Sequence, residues 1–409
     1  MKTKSETANT PNGWQKFTLG ELLEFKNGVN AEKASYGSGV PFVNVMEIIR
    51  HDVLDVEKIP GRINVDKKTL EKNLVVRGDV LFNRTSETPE EIGLTSVYLD
   101  NKTAVFGGFV IRGRSRNQLI SEGFKKYCFS SKKVRHQIIE RGQGVLRMNI
   151  GQKDLEKVVL SFPGITQQDK IVEVLDTWDK AIDKLTKKIE LKKFIKTSLV
   201  QRLISGRARL PNFHEPWKTV PAGDLFRNVT KKNHPDEPLL SATQDQGVIP
   251  RDMLVGRVMS PEGSRSSYKL VEPGNFVISL RSFQGGLELS RYRGIVSPAY
   301  TVLTEKLPIK REFYRLYFKT HQAISSLDSS VIGIRDGKQI SYESFKHIEI
   351  PYPSVNEQEA IAQTVSIFER ELLLLEKKLA TTRNIKSYLL NNLVTGNIRT
   401  PEDTMTYKV

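Results

Sequence analysis

One block of sequence occurs twice in this chain at a separation of 190 residues, and any fold must accommodate both copies. Pro163-Gly-Ile-Thr-Gln-Gln168-Asp-Lys-Ile171 matches Pro353-Ser-Val-Asn-Glu-Gln358-Glu-Ala-Ile361. Ser205-Gly206-Arg-Ala-Arg209-Leu-Pro211 matches Thr395-Gly396-Asn-Ile-Arg399-Thr-Pro401 in the same register, so nothing is inserted between the two matches. Looser matches precede them. Gly13-Trp14 and Pro216-Trp217 open the two halves, followed by Gly20-Glu21-Leu22 and Gly223-Asp224-Leu225. Val75-Val-Arg-Gly78-Asp79-Val80-Leu81 parallels Val271-Glu-Pro-Gly274-Asn275-Phe276-Val277. Each half is therefore a variable stretch followed by a near-constant one, a pseudo-two-fold internal repeat.

The near-constant stretches have helical periodicity. Ile171, Leu175, Trp178, Ile182, Leu185 and Ile189 alternate spacings of four and three, as do Ile361, Val365, Phe368, Leu372, Leu375 and Leu379. Both stripes lapse at the next two positions (Lys192 and Lys196; Thr382 and Lys386) and resume at Leu199 and Leu203, and at Leu389 and Leu393. Stripes of this length predict coiled-coil seams. Pro163 and Pro353 bar extension backwards, and Gly206 and Gly396 supply the usual C-terminal stop. About 39 residues at 1.5 Å each give rods of roughly 60 Å. Each stripe can pack on its own globular part, or the two can pack on each other; repeats related by a pseudo-two-fold would then run antiparallel. The lapse at the lysines fits a splayed, partner-facing or solvated segment.

The variable stretches mix short β-like runs (Pro41–Val45, Asp79–Phe82, Gly108–Ile111, Asn275–Ser279, Tyr300–Leu303) with later helical ones at about Glu122–Glu140 and Arg311–Ser325. The predicted class is α+β: two globular domains separated by two long helices that form an antiparallel coiled coil. The boundaries are a polar tail over 1–12, a globular part over 13–162, a helical spacer over 163–211, a second globular part over 212–352, a second spacer over 353–401 and a tail over 402–409.

Composition narrows function. Lys and Arg number 63 against 47 Asp and Glu, a net charge of +16 that favours a polyanion, with nucleic acid ahead of a membrane surface. The single Cys128 excludes an internal disulfide and any multi-Cys metal site, fits a reducing, cytoplasmic compartment, and reads as buried packing. No run approaches the length of a membrane span, and the first twelve residues lack the apolar core of a signal peptide.

Catalytic signatures are missing. No Pro-Pro pair is present, so the Asn/Asp-Pro-Pro-aromatic motif of amino-methyltransferases is absent. Gly333-Ile-Arg-Asp-Gly337-Lys338 has the wrong spacing for a phosphate loop. His51, His136, His214, His234, His321 and His347 show no ligand spacing. Pro235-Asp236-Glu237 lacks the Glu-x-Lys that a nuclease pair would need and reads as a turn. The expectation is a chain with no catalytic residues, no metal and no cofactor of its own.

Basic and polar loops stand in their place. Arg84 and Thr85 follow the strand ending at Phe82; Arg147, Asn149 and Lys153 lie on the connection to the first spacer. In the second half Arg281, Ser282 and Gln284 follow the matching strand, and Arg335, Lys338 and Gln339 occupy the later loop. Such side chains grip phosphates and read guanine and adenine edges. Their recurrence at equivalent places favours a shared role in DNA binding over ordinary solvated loops.

Two variable domains, each followed by a long helix that starts near Pro-x-x-x-x-Gln-x-x-Ile and ends in a Leu-rich turn with Gly, resemble the specificity subunit of type I restriction–modification systems. The resemblance runs from Trp14 to about Pro401 and is most specific over 163–211 and 353–401, with the Gly-Asp/Asn strand motifs at 78–82 and 274–278. It implies two target recognition domains, each reading one half of a split sequence in double-stranded DNA, held apart by antiparallel rods. It implies two methyltransferase subunits docked on the rods, bringing S-adenosylmethionine to an adenine in each half-site. It also implies motor–nuclease subunits using ATP and Mg to cut unmodified DNA. Half-sites on one DNA face lie ~34–36 Å apart per turn, within reach of such rods. The alternative from charge and tandem domains alone is a free-standing DNA-binding regulator or architectural protein, which leaves two long apolar stripes in matched register unexplained.

Overall fold

The computed structural model describes residues 13–30, 35–144, 146–244, 246–254, 265–278, 287–329 and 341–400. The chain forms two compact units whose division falls inside both long helices, after Thr186 and after Lys377. The first helix spans Ile165–Ile204 and the second Val355–Leu393. Each unit therefore takes its globular part and a segment of each helix.

In the first unit, strand Gln15–Thr18 pairs antiparallel with Val159–Phe162, so the beginning and end of the globular part meet at the helix start. Thr18 and Glu21 form a capping box on the following turn, which explains the Gly-Glu-Leu element. A five-stranded sheet has the order Leu23–Asn27, Val110–Ser115, Val80–Asn83, Thr95–Tyr98, Val53–Leu54. A second, four-stranded sheet contains Tyr36–Val43 and Ala104–Phe106. The expected helix over 122–140 is two helices, Glu122–Cys128 and Lys132–Arg141. Ser131 divides them because its hydroxyl accepts from Val134 N and caps the second. Cys128 is fully buried, and burial pushes its thiol well above the usual range.

The second unit repeats this plan. Lys218–Pro221 pairs with Glu349–Tyr352, and a four-stranded sheet runs Phe226–Val229, Thr301–Glu305, Phe276–Ile278, Glu288–Leu289. The expected helix over 311–325 is again two, Arg311–Tyr317 and His321–Ser329. An aromatic cluster around Phe226, with Phe276, Tyr314, Phe318 and Phe345, fills the core between sheet and helices.

Both packing arrangements left open by the stripes are used. Ile171 and Leu175 of the first helix, with Leu393 of the second and Val394 just after it, enter the core of the first unit. Leu203 and Ile204, with Ile361 and Val365, enter that of the second. Towards the middle the helices face each other. In the second unit Lys192 pairs with Glu371 at 2.6 Å, Lys193 with Glu376 at 2.7 Å and Lys196 with Glu369 at 3.0 Å. From Lys192 and Lys193 to Lys196 the partners step back from Glu371 and Glu376 to Glu369, the mark of antiparallel helices. The seam residues Ile189 and Leu372 are buried, and Trp178, Ile182, Leu185, Phe368, Leu375 and Leu379 are partly covered. The lapse at Lys192 and Lys196 is thus a stretch of cross-helix ion pairs; in the second stripe Lys386 pairs with Asp179 at 2.5 Å, while the buried Thr382 donates to Lys378 O of its own helix.

The repeated Pro-x-x-x-x-Gln motif is a buried tie. Gln168 Nε2 donates to Pro163 O and Leu119 O, both at 2.8 Å, and its Oε1 accepts from Ser121 N at 2.9 Å. Gln358 Nε2 donates to Pro353 O at 2.9 Å, and its Oε1 accepts from Lys310 N at 2.8 Å. Ser121 and Lys310 are the N-caps of the first of the two helices in their units, so each glutamine fixes that helix to the rod. Gly206 and Gly396 end the rods in the left-handed region, at φ +69° and +78°.

Candidate nucleic-acid interface

The Gly-Asp/Asn turns aim the strands that carry the candidate loops. Gly78 and Gly274 have φ of +85° and +96°. Asp79 is buried, accepts from Val76 N at 2.9 Å and takes a two-pronged bond from Arg114 at 2.9 and 2.7 Å. Asn275 closes the matching turn by accepting from Glu272 N at 2.8 Å. These motif residues act by shaping the turn.

Strand Val80–Asn83 then delivers Arg84 to a junction of three loops. Arg84 N donates to Phe109 O at 2.9 Å, Ile150 N donates to Arg84 O at 3.0 Å, and the Arg84 guanidinium donates to Gly108 O at 3.1 Å. Thr85–Ser86 pairs antiparallel with Met148–Asn149, and Thr85 Oγ1 donates to Asn149 Oδ1 at 2.7 Å. Arg147 is exposed and meets Glu87 at 3.3 Å; Asn149 Nδ2 donates to Arg147 O at 3.2 Å. The fold therefore brings Arg84, Thr85, Arg147 and Asn149 together, with Thr85 and Asn149 64 residues apart in sequence. Arg84 is half-buried and spends part of its guanidinium on the turn, whereas Arg147 and Asn149 face solvent. Lys153 is exposed on the short helix Gln152–Glu156 that follows.

Arg281, Ser282 and Gln284, and Arg335, Lys338 and Gln339, lie outside the described residues. Their described flanks match the first unit: strand Phe276–Ile278 precedes the first set in sequence, and helices His321–Ser329 and Tyr342–Phe345 flank the second.

Sequence reasoning missed Phe109, which is 62% exposed at the same junction. A large aromatic after Gly107-Gly108 is the available signal; the strand expected over 108–111 covers it, and in the fold that strand begins at Val110.

The helices carry a second candidate surface. In the second unit Phe194 and Ile367 are 72% and 67% exposed, and Leu191, Leu373 and Leu374 are also exposed, away from the seam positions; in the first unit Tyr388 is exposed. Among the described residues no group of three or more His, Cys, Asp or Glu could hold a metal ion, and no helix is long and apolar enough to cross a membrane.

Comparison with known proteins agrees with the repeat. A family model described as the type I restriction modification DNA specificity domain matches twice, over residues 11–193 and 214–382. The provisionally assigned MjaX type I restriction enzyme specificity subunit of Methanocaldococcus jannaschii is 21% identical, covering 97% of this chain and 96% of that protein. The MjaVIII specificity subunit of the same organism is 20% identical over 95% and 94%. Among solved structures, the S subunit of a type I restriction–modification system from M. genitalium aligns at a TM-score of 0.52 with 17% identity, covering 97% of this chain and 99% of its own. The HsdS subunit from Thermoanaerobacter tengcongensis aligns at 0.54 with 14% identity, over 96% and 99%.

Proposed function

The chain belongs to the type I restriction–modification DNA specificity family, and we propose that it is the non-catalytic subunit that reads DNA for such a complex. Each globular domain contacts one half of a bipartite target in double-stranded DNA. The observation that carries this is the duplicated scaffold: in both units a Gly-Asp or Gly-Asn turn leads into a core strand, in the first unit that strand ends at the junction where Arg84, Thr85, Arg147 and Asn149 meet, and in the second the sequence places Arg281, Ser282 and Gln284 just after it. One duplicated scaffold with two different sets of loop side chains suits one protein that reads two different half-sites.

Phosphate contacts from exposed cations such as Arg147 and Lys153 supply sequence-blind affinity, strengthened by the +16 charge through counterion release. Arg and Asn side chains supply base discrimination. The exposed apolar residues of the helices receive partner subunits. Two methyltransferase subunits dock there and bring S-adenosylmethionine; they methylate the N6 position of adenine, a step that requires the base to leave the stack. Motor–nuclease subunits with ATP and Mg complete the cutting form, and the assembly works in the cytoplasm.

The adenine methylome of cells with and without the gene tests this reading. A split methylated motif that disappears with the gene is expected. An unchanged methylome in cells that make the protein together with a methyltransferase subunit that co-purifies with it would reject it and favour a free-standing DNA binder.

A further inference from the structure

The proposed DNA-reading role leaves one feature of the first unit unused: the ring of Phe109. It is 62% exposed, yet the turn that carries it is held by backbone hydrogen bonds on both sides. Gly107 N donates to Val43 O, Gly108 N to Val29 O, Val110 N to Gly107 O, and Arg84 N to Phe109 O, each at 2.9 Å. The two glycines are required by close packing. A Cβ at Gly107 would lie 3.0 Å from the Phe42 ring, and one at Gly108 would collide with the Asn30 side chain. Phe109 is thus an apolar tip on a rigid, glycine-bounded turn.

Its surroundings indicate what covers it. The Phe109 carbonyl is bonded to Arg84, whose own carbonyl is bonded to Ile150, next to Asn149. Arg147 and the 90% exposed Leu146 lie on the loop that leads into this pair. An apolar tip on a turn bonded to Arg84, with Thr85, Arg147 and Asn149 on the adjoining strands and loop, is matched by a nucleic-acid duplex, where phosphates take the cations, base edges the amide, and a base face or thymine methyl the ring. A turn already fixed before binding loses little further freedom on contact.

We infer that Phe109 is a specificity-determining residue of the first unit, making an apolar contact with one base pair of the half-site that unit reads. This rests on the DNA-reading function proposed above, and the test separates the two.

The experiment is to replace the gene in its native host with Phe109→Ala and compare adenine methylomes. The expected result is a motif relaxed at one base pair of one half-site, with the other half-site unchanged. With the complex purified from the same cells, affinity for the intact target should fall about tenfold, the scale of one lost base–aromatic contact. Uracil in place of thymine at the affected pair, or 2-aminopurine beside it, then distinguishes a methyl contact from insertion between bases. A motif and affinity equal to wild type overturn the inference while leaving the DNA-reading function intact, as does a variant that fails only to co-purify with its partner subunits. If Phe109→Ala abolishes methylation altogether, Phe109→Leu decides: partial recovery with the relaxed motif supports the inference, and full recovery of the wild-type motif overturns it. A wild-type strain with no motif linked to the gene refutes the DNA-reading function itself.

Discussion

The two units solve one problem with the same positions and different side chains. Each must anchor a globular part to two antiparallel helices, and each does so through an acid at equivalent places, Asp179 and Glu369, bonded to a lysine of the opposite helix, Lys386 and Lys196. In the first unit Lys126 and the Tyr127 hydroxyl join this acid, at 2.8 and 2.7 Å, and both also reach Asp176. In the second Arg315 takes their place, bonded to Glu369 at 3.0 Å. The other end differs more. In the second unit Glu357, almost fully buried, accepts two bonds from Arg209 at 2.6 and 2.8 Å and one from Trp217 Nε1 at 2.9 Å. The equivalent residue of the first unit is Gln167, a neutral amide. Backbone placement is what the repeat preserves; the chemistry filling each place has drifted. A scaffold that tolerates such drift in its anchors can tolerate still more in the loops it presents.

The largest effect should come from the anchor whose residue is identical in both units, Gln168 and Gln358. Gln168→Leu leaves two carbonyls and one N–H of the first unit buried without partners, a loss of about 3 kcal/mol or more at ~1–3 kcal/mol each. Gln358→Leu orphans one fewer group, so its unit should lose less. Calorimetry that resolves the two transitions checks both; equal losses would mean that the Leu119 bond contributes nothing.

Next is Glu357→Gln, which gives the second unit the first unit's residue. Loss of a charge-assisted, two-pronged bond predicts about 2 kcal/mol. A melting curve indistinguishable from wild type would show that the carboxylate is incidental and that the two units are equivalent here.

A smaller effect is expected at the shared acids. Burial opposes ionisation of Asp179, but hydrogen bonds from Lys126, Lys386 and Tyr127 outweigh it and hold its carboxyl below the usual range. Burial likewise opposes ionisation of Glu369, and the charges of Arg315 and Lys196 outweigh it. A folded-state pKa below the unfolded one gives stability that is complete above the unfolded value, near ~4, and is lost as pH falls through the folded value. Asp179→Asn should therefore cost about 1–2 kcal/mol at neutral pH. Denaturation midpoints taken down the pH scale should show that gap closing below about pH 4. A gap that persists undiminished in acid would assign the loss to packing.

Much of this scaffold was legible in the sequence because it depends on local spacing and on repetition. The 190-residue register, the apolar stripes and the glycine stops all survive translation into the fold. What was not legible depends on contacts between distant residues. The stripes lapse at Lys192, Lys196 and Lys386, and no periodicity shows that Glu371, Glu369 and Asp179 wait on the opposite helix. Gln168 and Gln358 stood out as a motif, but their partners Ser121 N and Lys310 N are backbone groups of other helices and leave no sequence signature. The candidate loops were chosen by residue type. The fold gathers Arg84, Thr85, Arg147 and Asn149, commits part of Arg84 to an internal bond, and adds Phe109, whose exposure no residue type announces.

The most direct test of the account exchanges residues 212–352 for the corresponding domain of a relative with a different target and reads the adenine methylome of the host. One half of the split motif should become the donor's and the other should stay as it was, because each unit reads its own half-site. A motif altered in both halves, or in neither, would contradict the modular reading.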